Sequence, residues 1–152
     1  MRVLVCGGRS YGELTLIRSG SSDAVMAESA RLMAEHFGML GWLSDMHRTK
    51  PITCIIEGGA NGADTAARIW AGMHDVPGAT YPAYWKLHGR QAGPIRNRLM
   101  LTDGEPDLVV AFPGGSGTRN MISLAKRGGV RVDEVPHDAV MAADIRRAPI
   151  KP

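Results

Sequence analysis

The chain has 152 residues, enough for one domain and too few for two ordinary ones. Its residues are 44% hydrophobic, 22% charged and 5% aromatic, which excludes a disordered chain and an aromatic-rich all-β protein. Two cysteines exclude a disulfide framework, and no apolar run reaches about 18 residues, so we expect a cytoplasmic protein that does not enter the membrane. The net charge of +3 is compatible with an anionic small molecule or with nucleic acid.

The first half of the chain alternates apolar runs with helical patterns. Residues 2–6 predict a strand buried on both faces, and a loop over 10–23 follows it. A long helix comes next, and a second strand is predicted over 52–56. The helix after that strand has one apolar stripe, and so does the long first helix. The stripe of the first helix is formed by Met26, Ala30, Met33, Phe37 and Leu40, and that of the second by Ala63, Ala66, Ala67 and Trp70.

The second half continues the alternation. A weaker strand is predicted over 79–83, a third helix around Ile95, Leu99 and Met100, and a strand over 107–112. A fourth helix buries Met121, Ile122, Leu124 and Ala125, and a last strand covers 130–135. The pattern predicts a single Rossmann-like, doubly wound α/β domain, with a mainly parallel five-stranded sheet and helices on both faces. The domain is expected to span 1–136, and 137–152 to form a C-terminal tail of at most one or two helical turns.

Three of the predicted strands end in glycine-rich turns that open helices. The turns are Gly7-Gly8-Arg9, the segment 58–64 and the segment 113–118. Because the carboxyl ends of parallel strands share one edge, the three turns should lie together, and ligands bind in the crevice there. Backbone N–H groups at a helix N-terminus favour phosphate, so the sequence predicts a phosphate site at this edge.

Arginines cluster in one stretch without carboxylates. Between Asp75 and Asp103 there is no acidic residue, while Lys86, Arg90, Arg96 and Arg98 all fall there. An arginine fork pairs with phosphate or carboxylate, so Arg96 is expected to complete the anion site, and Arg98 either shares that role or belongs to a solvated face.

Several other side chains have two open interpretations. Asp64 is either a favourable charge in the first turn of its helix or a hydrogen-bond partner for a ribose hydroxyl. Glu57 is either a ligand contact or a charge at the sheet edge. Trp85, with Tyr84, either stacks on a base at the mouth of the crevice or packs against the third strand.

Other familiar motifs are missing. No Gly-x-Gly-x-x-Gly follows the first strand, and no loop ends in Gly-Lys-Ser or Gly-Lys-Thr, which excludes the dinucleotide fingerprint and the Walker A loop. The sequence has no Cys-x-x-Cys and no histidines at metal-ligand spacing, so we predict no metal and no cofactor.

In combination, the glycine turns resemble those of the SLOG superfamily of Rossmann-like nucleotide-binding domains, in a branch that is common in phage and prophage genomes. The resemblance spans residues 1–135 and includes the segments 7–9, 58–64, 93–98 and 113–118. Two relatives imply functions. The "lonely guy" phosphoribohydrolases release a base from a riboside monophosphate, and the DNA-processing protein A family binds single-stranded DNA and has an Arg-Asn-Arg run like 96–98. The related hydrolases are dimers or larger assemblies, so the resemblance also implies a homo-oligomer. Met26, Met33 and Met39 of the long first helix either offer a surface for it or fill the core.

The chain departs from the hydrolases at two positions. They carry Pro-Gly-Gly-x-Gly-Thr-x-x-Glu, and this chain has Met121 where the catalytic glutamate stands and Asn97 in place of a lysine. Methionine neither activates water nor stabilises an oxocarbenium-like sugar. The remaining candidates for catalysis are Arg96, Glu57 and Asp64.

The sequence therefore favours a protein that binds a nucleotide or a nucleotide-derived phosphate as a sensor, carrier or sequestering protein. A phosphoribohydrolase with a displaced carboxylate and a binder of single-stranded DNA are the alternatives. The predicted ligand-binding residues are Gly7, Gly8, Arg9, Gly58, Gly59, Asn61, Gly62, Asp64, Arg96, Asn97, Pro113, Gly114, Gly115, Ser116, Gly117 and Thr118.

Overall fold

The computed structural model describes residues 1–147, in which five parallel strands form one sheet. The strands lie in the order β3-β2-β1-β4-β5. Their bounds are β1 (Arg2–Cys6), β2 (Cys54–Glu57), β3 (Gly78–Thr80), β4 (Leu108–Ala111) and β5 (Arg131–Glu134). The predicted parallel α/β architecture is confirmed.

The third strand is shorter than the predicted 79–83. It ends at Thr80, and the Tyr81 N–H makes the last hydrogen bond to β2, at 2.8 Å from the Glu57 carbonyl oxygen. The partner strand β2 itself ends at Glu57, so a longer β3 would have no strand to pair with.

Within residues 1–147, six helices connect and cover the strands. Ser22 begins the longest of them by accepting a hydrogen bond from the Val25 N–H. Two short 3-10 turns, Gly89–Gln91 and Ile145–Arg147, lie between or after the helices. The helices are α1 (Asp23–Thr49), α2 (Ala63–Met73), α3 (Trp85–His88), α4 (Ala92–Thr102), α5 (Ser116–Arg127) and α6 (His137–Ala142). Within the described residues, none is long and apolar enough to cross a membrane.

The sheet separates two apolar clusters. Val3 and Val5 of β1 face α1, α2 and α6, while Leu4 and Cys6 face α4 and α5. All four side chains are buried, which explains why the run over 2–6 is apolar at consecutive positions instead of at alternate ones.

The predicted stripe of α1 is wrong in its first half. Met26, Ala30 and Met33 are exposed, and the buried positions include Glu35 and His36. Glu35 accepts a hydrogen bond from the Gly12 N–H at 2.9 Å, and His36 contacts the carbonyl oxygen of the same glycine. These polar side chains face the loop before the helix, so hydrophobic periodicity could not identify them.

The predicted apolar stripe is confirmed for α2 and only partly confirmed for α4. The four residues of the α2 stripe are buried, as predicted. In α4, Met100 is buried, but Ile95 and Leu99 are exposed, so that part of the prediction is wrong. Of the methionines predicted to offer an oligomer surface, Met39 lies in the core, and self-association through the other two stays a prediction.

The segment after β5 packs along α1. Val140 of α6 is fully buried, and a Cβ at Gly38 or Gly41 of α1 would collide with the backbone of Val140 or Ala143. These glycines therefore permit the close approach of the two segments. The domain boundary at 136 stays a prediction, and residues 148–152 of the predicted tail lie outside the described residues.

A buried histidine makes the stability depend on pH. The His36 ring contacts the Gly12 carbonyl oxygen, with 3.1 Å between Nδ1 and that oxygen. Burial lowers the pKa of His36 below its ordinary value, and the hydrogen bond to Gly12 opposes the shift. The unfolded chain then binds a proton near pH 6.5 that the folded protein does not bind, so the free energy of unfolding decreases as the pH falls below about 6.5.

We expect His36→Gln to flatten this dependence, because a glutamine amide can donate to Gly12 but does not titrate. Urea unfolding between pH 5 and pH 8 measures the free energy of unfolding as a function of pH. The slope of that dependence should decrease in the variant by no more than about 1.4 kcal/mol per pH unit, the value for one proton. His88→Gln, at an exposed position, controls for the loss of a histidine. Parallel profiles for wild type and His36→Gln would contradict the assignment.

Candidate functional site

The three glycine-rich turns meet at the carboxyl edge of the sheet. The Gly8 N–H donates to the Pro113 carbonyl oxygen at 2.9 Å, and the Gly8 carbonyl oxygen lies 3.4 Å from the Ala63 nitrogen at the start of α2. Gly62 has a φ of +69°, and a Cβ there would collide with the Gly8 carbonyl oxygen. The predicted juxtaposition is confirmed as geometry, and it lies where the strand order reverses between β1 and β4.

Both carboxylate oxygens of Glu57 have hydrogen-bond partners within the protein. One oxygen accepts a hydrogen bond from the Gly59 N–H at 2.6 Å and lies 3.3 Å from Arg68, and the other accepts from the Thr80 hydroxyl. The residue is 1% exposed. Glu57 therefore holds the turn after β2 in place and connects it to β3.

Asp64 has a similar role on the other side of the turn. Its Oδ2 accepts hydrogen bonds from the N–H groups of Gly58 and Ala60, each at 3.1 Å. The same oxygen lies 3.9 Å from Arg96. Burial raises the pKa of Asp64, while the Ala60 hydrogen bond and the Arg96 charge oppose the rise.

Arg96 links the turn after β2 to the turn after β4. Its Nη1 donates to the Gly58 carbonyl oxygen, and its Nε donates to Oδ1 of Asn97 at 3.0 Å. The Asn97 amide in turn donates to the Gly117 carbonyl oxygen at 3.2 Å and to Asn120 at 3.0 Å. Among the hydrogen bonds of residues 1–147, none uses Nη2 of Arg96.

The turn after β4 leads directly into α5. Within the described part of the chain, no side chain caps this helix at Gly115, so its first N–H groups are available to an acceptor. A Cβ at Gly115 or Gly117 would meet open space, whereas one at Gly114 would collide with the Thr118 hydroxyl. Thr118 is buried, and Ser116 is exposed.

A cleft of about 360 Å³ opens between the turns after β1 and β2 and the segment after β3. Arg96 lies on its wall, and so does Trp85, which is 47% exposed and does not pack against β3 as one interpretation held. The predicted residues of the turn after β4 do not line it. The lining residues are Arg9, Gly58, Gly59, Ala60, Asn61, Pro82, Ala83, Trp85 and Arg96.

The cleft has a surplus of positive charge. Arg68 is paired with Glu57, and Arg96 lies beside Asp64. Arg9 has no ion-pair partner in the part of the chain that the structure describes, and its charge lowers the pKa of Arg96, an effect smaller than that of burial. Two guanidinium groups thus face one cleft, an arrangement that an anion would stabilise.

Cys6 ends β1 beneath the turns. Burial raises the pKa of its thiol to about 12, and the nearby Asp64 adds to the rise while Arg96 opposes it. Both cysteines of the chain are buried and free.

A second polar cluster connects the turn after β1 to α6. The Tyr11 hydroxyl lies 2.8 Å from Nδ1 of His137, and the same nitrogen lies 3.9 Å from the buried Glu35. Burial and the Glu35 charge raise the pKa of Tyr11. Sequence reasoning missed this cluster, although His137 follows β5 directly and so belongs to the carboxyl edge.

A larger cleft, of about 850 Å³, lies at the opposite end of the strands. It is lined by residues such as Met1, Trp42, Pro51 and Leu108, none of which belongs to a glycine turn. We therefore place the candidate site in the smaller cleft. Within 1–147, no group of three or more His, Cys, Asp or Glu side chains is placed to hold a metal ion.

Comparison with known proteins agrees with this geometry. Residues 1–88 match the model of the YspA, cpYpsA-related SLOG family, which is more than half of the chain. The chain belongs to this SLOG family. It is also 30% identical over 138 residues to the Gene 61 protein of Mycobacterium phage D29, covering 86% of this chain and 93% of that protein. No solved structure gives a significant match.

SLOG membership indicates a nucleotide-related function in general terms. The matched residues include two of the three glycine turns, together with Arg9 and Trp85. Arg96 and the turn after β4 lie beyond the match.

Proposed function

We propose that this SLOG protein binds a nucleotide or a nucleotide-derived phosphate in the cleft beside Arg96, as a sensor, carrier or sequestering protein. The observation that carries the proposal is the pair of guanidinium groups, Arg9 and Arg96, that face one cleft between glycine turns. Arginine forks recognise phosphate through paired, charge-assisted hydrogen bonds. The volume of about 360 Å³ lies at the lower end of small-molecule sites.

Binding is favoured over hydrolysis by the state of the carboxylates. Both oxygens of Glu57 accept hydrogen bonds, and Oδ2 of Asp64 accepts two from the N–H groups of its own turn, so both carboxylates serve to hold the turn after β2. Met121 is fully buried in the cluster beneath α5.

Incubation of the protein at stoichiometric concentration with nucleoside 5′-monophosphates, ADP-ribose and NAD tests the proposal. Chromatography of the mixture measures both the ligand retained on the protein and any free base. We expect intact ligand to be retained and no base to be released. Released base would establish the hydrolase, and release that survives Glu57→Gln combined with Asp64→Asn would exclude those carboxylates as its catalysts.

Single-stranded DNA is the second candidate. It is favoured by the exposed Tyr84 and Trp85 beside the exposed Lys86, Arg90 and Arg98, because aromatic and basic side chains together bind single strands. Affinity for an oligothymidylate should then decrease steeply with salt. A slope shallower than about two released counterions would exclude this candidate.

A further inference from the structure

Arg9 and Trp85 meet across the cleft. Arg9 belongs to the turn after β1, and Trp85 begins α3, after β3. The carbon of the Arg9 guanidinium lies 5.0 Å from the centroid of the Trp85 ring. Because β2 lies between β1 and β3 in the sheet, this contact passes over the turn after β2.

Each partner of this contact suits a different part of a nucleotide. A guanidinium group pairs with phosphate more strongly than it contacts an exposed ring. An indole ring stacks on a nucleobase. A nucleobase offers the ring a larger flat surface than a guanidinium group does. The Trp85 ring is positioned by α4, where a Cβ at Gly93 would lie 3.4 Å from Cη2.

We propose that a nucleoside monophosphate replaces the Arg9–Trp85 contact, with its base stacked on Trp85 and its phosphate bound by Arg9 together with Arg96. This inference rests on the proposed function and specifies the ligand, which must carry an aromatic base as well as a phosphate. The cleft has room for one nucleotide, which favours a mononucleotide over a strand.

Two classes of probe separate the base from the phosphate. AMP, GMP, CMP and UMP carry both groups, and ribose 5-phosphate lacks the base. Calorimetry with the wild-type protein should show that the preferred monophosphate binds about 5- to 100-fold more tightly than ribose 5-phosphate. Trp85→Ala should remove this difference and leave the affinity for ribose 5-phosphate within about twofold.

Three further variants complete the set. Arg9→Ala should weaken the binding of the monophosphate and of ribose 5-phosphate by a similar factor, because both carry the phosphate. Leu87→Ala truncates an exposed apolar side chain of the same helix, α3, which does not line the cleft, and should change neither affinity. Trp85→Phe keeps an aromatic ring and should retain most of the difference if Trp85→Ala proves unstable.

The outcomes distinguish this inference from the proposed function. If the wild-type protein binds the monophosphates and ribose 5-phosphate equally well, or if Trp85→Ala weakens both by the same factor, base stacking on Trp85 is wrong and phosphate binding stands. If neither class of probe binds, this inference is wrong, and the proposed function fails with it only if ADP-ribose and NAD are not retained either. Binding of an oligothymidylate alone would favour the DNA-binding alternative.

Discussion

Arg96→Ala is expected to lower the affinity for a nucleoside monophosphate by at least about 30-fold. Removing one partner of a buried, hydrogen-bonded charge pair costs about 2–5 kcal/mol, and 2 kcal/mol corresponds to that factor. Arg96 is the side chain that contacts the turn after β2 and, through Asn97, the turn after β4. Its loss should therefore remove a phosphate contact and loosen the two turns together.

The control for this prediction lies two residues along the same helix. Arg98 is exposed, so Arg98→Ala removes the same charge from α4 without disturbing the turns, and its affinity should stay within about threefold of wild type. Calorimetry measures the affinities, and circular dichroism verifies that both variants are folded. A folded Arg96→Ala protein with wild-type affinity would contradict the site.

Met121→Glu is expected to destabilise the protein by about 3–5 kcal/mol and not to create a hydrolase. The methionine side chain is fully buried among Leu4, Val109 and their neighbours, where a carboxylate would have no partner. For a chain of this length, that loss lowers Tm by about 10 °C. The position that carries the catalytic glutamate in the related hydrolases is thus a core position here.

Met121→Leu is the matched control, because it conserves volume and should cost less than about 1.5 kcal/mol. Thermal unfolding compares the two variants, and chromatography of nucleotide mixtures detects any free base. A Met121→Glu protein that keeps the wild-type Tm and releases base would show that this side chain reaches the ligand.

The fold could be predicted from the sequence because its signals are local. The run over 2–6 and the glycines after three strands mark buried parallel strands and tight turns, and the parallel arrangement then brings the turns to one edge. The first half of α1 could not be predicted, because its buried face is polar where it contacts the Gly12 loop. The spacing of apolar residues along a helix carries no information about such a polar contact.

The meeting of the glycine turns at one sheet edge could be predicted from the sequence, but the arrangement of the side chains around them could not. The sequence places Arg96 near the turns, yet its bond to Gly58 depends on how α4 packs. Glu57 and Asp64 had two interpretations each because their partners are backbone N–H groups, whose directions exist only in the folded turn. The contact of Arg9 with Trp85 joins residues far apart in the chain, and no spacing rule predicts it.

The thiol at the end of β1 has a consequence for the response of the site to oxidants. Arginines and helix N-termini usually acidify a neighbouring cysteine, and the thiolate so formed is the species that oxidants attack. Here burial dominates, and the pKa of about 12 keeps Cys6 protonated at neutral pH. We therefore expect Cys6 to react slowly with oxidants, although Arg96 lies near it.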